Sequence, residues 1–230
     1  MGTTTAQFIA ALTEGHDVIV IGGLAVIAHG FNRPTKDADV WFDPLDSPQA
    51  WAEVLEQICD RFSDLSIHTL PGWKPVEGAE IAHAAEDIGM VRILGLDCPL
   101  DIFRRPNEFS ADEFGAVLSR ATLNTDGTWL PDPLDLAISK ELTNRDKDVQ
   151  DVNFLESIVR NRWVNKLPTA SVDEARALLD RFVDWRTCEA ALLNPDSLVQ
   201  EIALAYLREF AADGDPFSQA LLANTQIPPA

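Results

Sequence analysis

The sequence predicts an α/β (α+β) fold in which a mixed sheet is flanked by helices and followed by a helical C-terminal region. Three observations point there. Val18–Ile21 is a β-branched run that stops at Gly22-Gly23 and gives way to a short apolar helix over 24–29, a strand–turn–helix unit. Residues 37–42 and 100–103 carry the period-two alternation of half-buried strands. Beyond residue 130, apolar residues recur at helical spacing behind capping signals. The predicted division is therefore 1–130, which holds the sheet, and 131–230, which is helical.

Each element has its own local reason. Phe8, Ile9 and Leu12 give an opening helix over 5–12. Ser47-Pro48, an N-cap followed by proline at the first helical position, opens a helix whose stripe is Trp51, Leu55, Ile58 and Phe62, with Cys59 beside it in the core. An edge strand is expected over 65–70, then a Pro/Gly loop in which Trp73 either packs or stacks on a base. Ala79–Asp87 reads as a helix, and 90–103, MVRILGLDCPLDIF, as two strands joined by a turn at 95–97. Arg104 and Arg105 meet phosphate or cap the strand end. Ser110 and Glu113 form a capping box, and Asp126-Gly127 predicts a type I′ hairpin between 120–125 and 128–130. Pro131-Asp132-Pro133 opens a helix over 134–143. Ser171 and Glu174 cap a helix carrying Ala175, Leu178, Leu179, Phe182 and Trp185, and Asn194-Pro195 opens another that runs to Gly214.

Composition narrows the function. With 230 residues, 46% hydrophobic and 24% charged, the chain has the make-up of a soluble globular protein with ample core. No apolar run reaches membrane-spanning length, and Met-Gly-Thr-Thr-Thr shows no signal-peptide pattern, which predicts a cytoplasmic location without a membrane partner. Cys59, Cys98 and Cys188 have neither disulfide nor metal-ligand spacing. The net charge of -19, from 18 basic against 37 acidic residues, argues against extended nonspecific nucleic-acid binding and leaves room for a local basic patch.

The most informative stretch is 17–42, DVIVIGGLAVIAHGFNRPTKDADVWF. Its short helix would begin on the diglycine, leaving backbone N–H groups open to an anion such as phosphate. In a strand, Asp37 and Asp39 share one face while Ala38, Val40 and Phe42 enter the core. Two carboxylates on one face repel each other unless a cation lies between them, and hard oxygen ligands suit magnesium. His29 reads as a core or capping histidine. Further on, Lys140, Arg145, Lys147, Asp148 and Asp151 read by pattern alone as a solvated helical face.

Gly22-Gly23 followed by Asp-x-Asp at Asp37 and Asp39 resembles the signature of the nucleotidyltransferase superfamily that includes DNA polymerase β and the aminoglycoside nucleotidyltransferases. With Ala25, His29-Gly30, Arg33 and Thr35, it resembles the GG…HG…R-x-T-x-D-x-D form of the AbiEii-like nucleotidyltransferases, the toxin partners of type IV toxin–antitoxin systems. The Lys140 to Asp151 cluster matches the K…R-x-K-D…D segment of such proteins, so the resemblance covers residues 17–155. It implies a nucleotidyltransferase-type sheet and two Mg2+ ions acting on a nucleoside triphosphate (NTP). Asp37 and Asp39 would hold magnesium against the α-phosphate and the leaving pyrophosphate. The family's third carboxylate falls on Asp101, whose apolar flanks favour it over Asp97 at the turn; it would bind the second ion and help deprotonate the acceptor. Gly22, Gly23, Arg33, Thr35 and Lys140 would lie at the nucleotide. Leu24 stands where many members carry serine.

The expected activity is transfer of NMP from an NTP to RNA, a tRNA end, with a cognate antitoxin as partner. The alternatives are transfer to a small molecule of aminoglycoside type or to a protein, and a nucleotide- or partner-binding protein without turnover.

Overall fold

The computed structural model describes residues 2–106, 109–140 and 146–224. They divide into two compact units, Met1–Leu155 and Glu156–Ala230.

The first unit is built on a mixed sheet flanked by helices. Its strands are β1 (Val18–Ile21), β2 (Ala38–Phe42), β3 (Ser66–Thr69), β4 (Lys74–Pro75), β5 (Met90–Leu94), β6 (Leu100–Phe103), β7 (Thr122–Leu123) and β8 (Trp129–Leu130). Among the described residues they form one eight-stranded sheet in the order β4-β3-β5-β6-β2-β1-β8-β7. Strand β2 runs antiparallel to β1 and parallel to β6, and β6 runs antiparallel to β5. The helices are α1 (Thr5–Thr13), α2 (Gly22–Ala28), α3 (Pro48–Cys59), α4 (Ala79–Asp87), α5 (Phe114–Arg120), α6 (Pro133–Ile138) and the first half of α7 (Asp146–Lys166).

Strand alternation sorts the side chains into two cores. Val18, Ala38, Val40, Phe42, Leu100 and Ile102 join Phe8, Trp51, Leu55 and Ile81 on one face. Ile19, Ile21 and Trp41 join Ala25, Val26, Phe114, Leu136 and Leu155 on the other. Phe103 packs against that second core, and Asp39 and Asp101 fall in the same strand phase as Trp41 and Phe103.

Local chemistry explains several departures from expectation. The helix expected over 24–29 begins at Gly22, so the diglycine is its first turn. The edge of the sheet is β4, inside the predicted loop, and not the strand 65–70; Pro75 is tolerated there because an edge strand need not donate on its outer side. The Asp126-Gly127 hairpin is a three-residue loop rather than type I′. Only Gly127 takes a positive φ, +85°, and Asp126 Oδ1 accepts from the Thr128 N–H and hydroxyl. The helix expected over 134–143 ends at Ile138, and its last expected residues lie outside the described ones.

The second unit holds the end of α7, then α8 (Val172–Arg181), α9 (Trp185–Leu192), α10 (Ser197–Ala212) and α11 (Pro216–Asn224). Phe182 and Trp185 do not share one helix with Leu178: the backbone is extended at Phe182, and Asp184 caps a new helix in a capping box with Thr187. Asn194 does not open α10, which Asp196 caps. Its buried amide instead donates to the carbonyls of Leu167 and Ala170, at 2.7 and 2.9 Å. No described helix is long and apolar enough to cross a membrane.

Candidate active site

Strand register assembles the site. Asp39 on β2 lies directly beside Asp101 on β6, and Asp101 directly beside Arg92 on β5. Since paired residues point to one face, two carboxylates and a guanidinium stand in a row across three strands, with Asp37 two residues before Asp39. On the other side of β2, Asp39 pairs with Ile21, the last residue before the diglycine.

The diglycine makes room for this row. A Cβ on Gly22, whose φ is +61°, would lie 1.9 Å from Asp39 Oδ2, and one on Gly23 would lie 2.7 Å from the Thr35 hydroxyl. Any side chain at either position would displace the site, and Gly22 is also in a backbone region that L-residues avoid. The Gly23 backbone N–H favours the ionised form of the Asp39 carboxylate. That amide, expected to cradle phosphate, here acts on a carboxylate. Thr35 Oγ1 lies 3.1 Å from the Asp37 carbonyl oxygen and 3.4 Å from Asp37 Oδ1, steadying the approach to β2.

The charges in this row are unequal in their compensation. Burial, then the nearby charges of Asp37 and Asp101, push the Asp39 carboxyl up from an ordinary 3.8 to about 6, against opposing pulls from Lys140 and the Gly23 N–H. Asp101 is only 6% exposed, but both its oxygens are bonded to Arg92, Oδ1 to Nε at 2.5 Å and Oδ2 to Nη2 at 2.6 Å. Arg92 Nη2 lies 4.0 Å from Asp37 Oδ2, and its guanidinium is backed by the Trp73 ring at 3.9 Å. Trp73 therefore packs on an arginine of the site.

A second charged group lies beneath. The Lys140 ammonium, 7% exposed, sits 3.1 Å from Asp151 Oδ2 and 3.5 Å from Asp148 Oδ1. Arg33 Nη2 reaches the same Asp151 oxygen at 2.7 Å. The far oxygen of Asp151 and Arg33 Nε are buried without a hydrogen-bond partner among the described residues. Lys140, Asp148 and Asp151, spaced along 140–151, thus meet, and Arg33 joins them from the loop before β2. Arg145 lies outside the described residues, as does the side chain of Lys147.

The other candidates have structural partners. Asp97 Oδ1 accepts from the Thr5 N–H and hydroxyl at 2.7 and 2.9 Å, so it is engaged at the first turn of α1. Arg104 donates to the Pro44 carbonyl, and Arg105 to the carbonyls of Glu86 and Asp87 at the end of α4. The His29 ring donates to the Pro131 carbonyl. Arg92 was missed in the sequence, where its signal was a lone cation between Val91 and Ile93 in an apolar strand.

A divalent cation fits Asp37 and Asp39. Burial and then the charges of Asp37 and Asp101 disfavour the Asp39 charge, which such a cation would offset, and magnesium is characteristically held by one or two carboxylates plus water and substrate phosphate oxygens. No three-carboxylate cage is assembled among the described residues, and both Asp101 oxygens accept from Arg92. Among the described residues no group of three or more His, Cys, Asp or Glu is arranged to hold a metal ion. No protein-family model matches this chain, and no curated protein matches it.

Proposed function

We propose that this chain is a metal-dependent nucleotidyltransferase that moves NMP from a nucleoside triphosphate to an acceptor hydroxyl. The observation that carries the reading is the row of carboxylates on adjacent strands beside a diglycine turn, with Asp39 raised to about 6 by burial and its neighbours. Such an anionic site has a use for a cation that a merely structural strand face lacks.

Asp37 and Asp39 would hold magnesium, which when bound polarises the α-phosphate and offsets charge on the leaving pyrophosphate. The chain's own residues set up that chemistry. The Gly23 N–H favours the ionised Asp39 carboxylate, and Thr35 steadies Asp37. Asp151 joins Arg33, Lys140 and through them the loop before β2 to α7, while the positive charge of Lys140 favours the ionised form of Asp39. Gly22 and Gly23 keep the approach to Asp39 free of side chains.

The acceptor follows from the motif resemblance: an RNA hydroxyl at a tRNA end, with a cognate antitoxin as partner. The net charge of -19 favours a second reading, transfer to a cationic small molecule drawn in by an acidic surface. The test is incubation with magnesium, each labelled nucleotide, total tRNA and an aminoglycoside panel, with Asp39→Ala as control. Label in tRNA supports the first acceptor and label in an aminoglycoside the second. Absence of pyrophosphate release under every condition refutes both.

A further inference from the structure

The site contains a fixed cation where a two-metal mechanism would place an ion. Asp101 offers its two oxygens to Arg92 Nε and Nη2 at 2.5 and 2.6 Å, a fork-to-fork pair that leaves neither oxygen uncommitted. The pair is built into the sheet: Arg92 and Asp101 are cross-strand partners on β5 and β6, so their side chains leave the backbone side by side. Trp73 lies over the guanidinium at 3.9 Å, and the Arg92 side chain is only 19% exposed. The guanidinium is thus held on its carboxylate edge by Asp101 and on its face by an indole. Arginine stays protonated at all working pH values, so this charge is permanent.

We infer that Arg92 takes the place of a second metal ion at Asp101, and that the site holds one divalent cation, at Asp37 and Asp39. The inference rests on the nucleotidyl-transfer reading and alters its metal count. An ion taking the lone pairs of Asp101 that Arg92 now occupies would have to displace it, and an ion on the remaining lone pairs would sit against a partly buried guanidinium. Charge points the same way. Three carboxylates, one guanidinium and one divalent ion are neutral together, whereas a second divalent ion would leave the row positive before the triphosphate arrives. Asp101 is then a positioning residue that aims Arg92 along the row toward Asp37, whose Oδ2 lies 4.0 Å from Nη2.

The test counts ions without turnover. Mn2+ replaces Mg2+, and the ions bound per chain are counted from the loss of the free-ion electron paramagnetic resonance signal. The protein is saturated with each of the four α,β-methylene nucleoside triphosphates in turn. The expected count is one per complex for the wild type and one for Asp101→Asn, which can still accept from Arg92 and loses no metal ligand. Arg92→Met frees the carboxylate and raises the count to two. Two ions in the wild type, loss of the ion in Asp101→Asn, or a folded Arg92→Met chain that stays at one overturns the inference. If Arg92→Met does not fold, the first two counts decide. A wild type that retains neither nucleotide nor ion sinks the nucleotidyl-transfer reading as well, whereas a count of two sinks the single-ion inference alone.

Discussion

Replacing Asp39 by asparagine removes a charge that the folded chain holds at a disadvantage. The carboxyl ionises at about 6 in the folded state against an ordinary 3.8. At about 1.4 kcal/mol per pH unit, the folded state loses about 3 kcal/mol as Asp39 gives up its proton. The folded chain binds that proton more tightly than the unfolded one does, so this stability is complete below about pH 4 and is lost as pH rises through about 6. Asparagine keeps the shape and an oxygen that can accept from the Gly23 N–H, but has no proton to lose. Asp39→Asn is therefore expected to match the wild type near pH 4 and to exceed it by about 3 kcal/mol at pH 8 in the absence of divalent ions. Urea unfolding across that range measures the difference, and titrations common to both proteins cancel. Added Mg2+ should raise the wild type toward the variant by binding the folded state, and should leave Asp39→Asn unmoved. Equal stabilities at pH 8, or a gap that does not change with pH, would refute the penalty that burial and the neighbouring carboxylates place on the Asp39 charge.

Other outcomes follow from the same geometry. Gly22→Ala places a methyl group 1.9 Å from Asp39 Oδ2 and should lower nucleotidyl transfer by at least about 100-fold through misplacement of the carboxylate. Gly115→Ala, whose added methyl meets nothing within 4 Å, should leave the rate unchanged. Asp151→Asn weakens the ion pairs to Arg33 and Lys140 at once and should destabilise the chain by roughly 3 kcal/mol in urea. The acid limb of kcat/KM should fall near pH 6, since the free enzyme must release the Asp39 proton before the carboxylate can take a cation. An acid limb near 4 would separate Asp39 from the reaction.

Much of the candidate site's arrangement was legible because its signals are local. Period two puts Asp37 and Asp39 on one face and sends Ala38, Val40 and Phe42 inward, and the structure buries all three apolar residues. Asp101 could be preferred to Asp97 from its apolar flanks, but the reason Asp97 is unavailable, its bonds to Thr5, lies 92 positions away. Arg92 was illegible for the same reason. One cation in an apolar strand reads as a surface residue until the β5–β6 register sets it against Asp101. The role of the diglycine also needed the third dimension, since only the approach of Asp39 and Thr35 shows what a Cβ would strike. In the second unit, the apolar spacing of Leu178, Phe182 and Trp185 runs on as if one helix continued, and it hides the break at which Asp184 caps the next. Strand β4 escaped notice because two residues ending in Pro75 pair only through their position beside β3.

The central claim is nucleotidyl transfer at Asp37 and Asp39. It is tested most directly by pyrophosphate release from the four nucleoside triphosphates in Mg2+, with total tRNA and a small-molecule extract as acceptors. Wild type is compared with Asp39→Asn at pH 8, where the variant is expected to be the more stable of the two. The wild type is expected to release pyrophosphate with at least one nucleotide, a release abolished by chelating the metal and absent in Asp39→Asn. Equal release by the two proteins, or none from the wild type with any nucleotide, would contradict it.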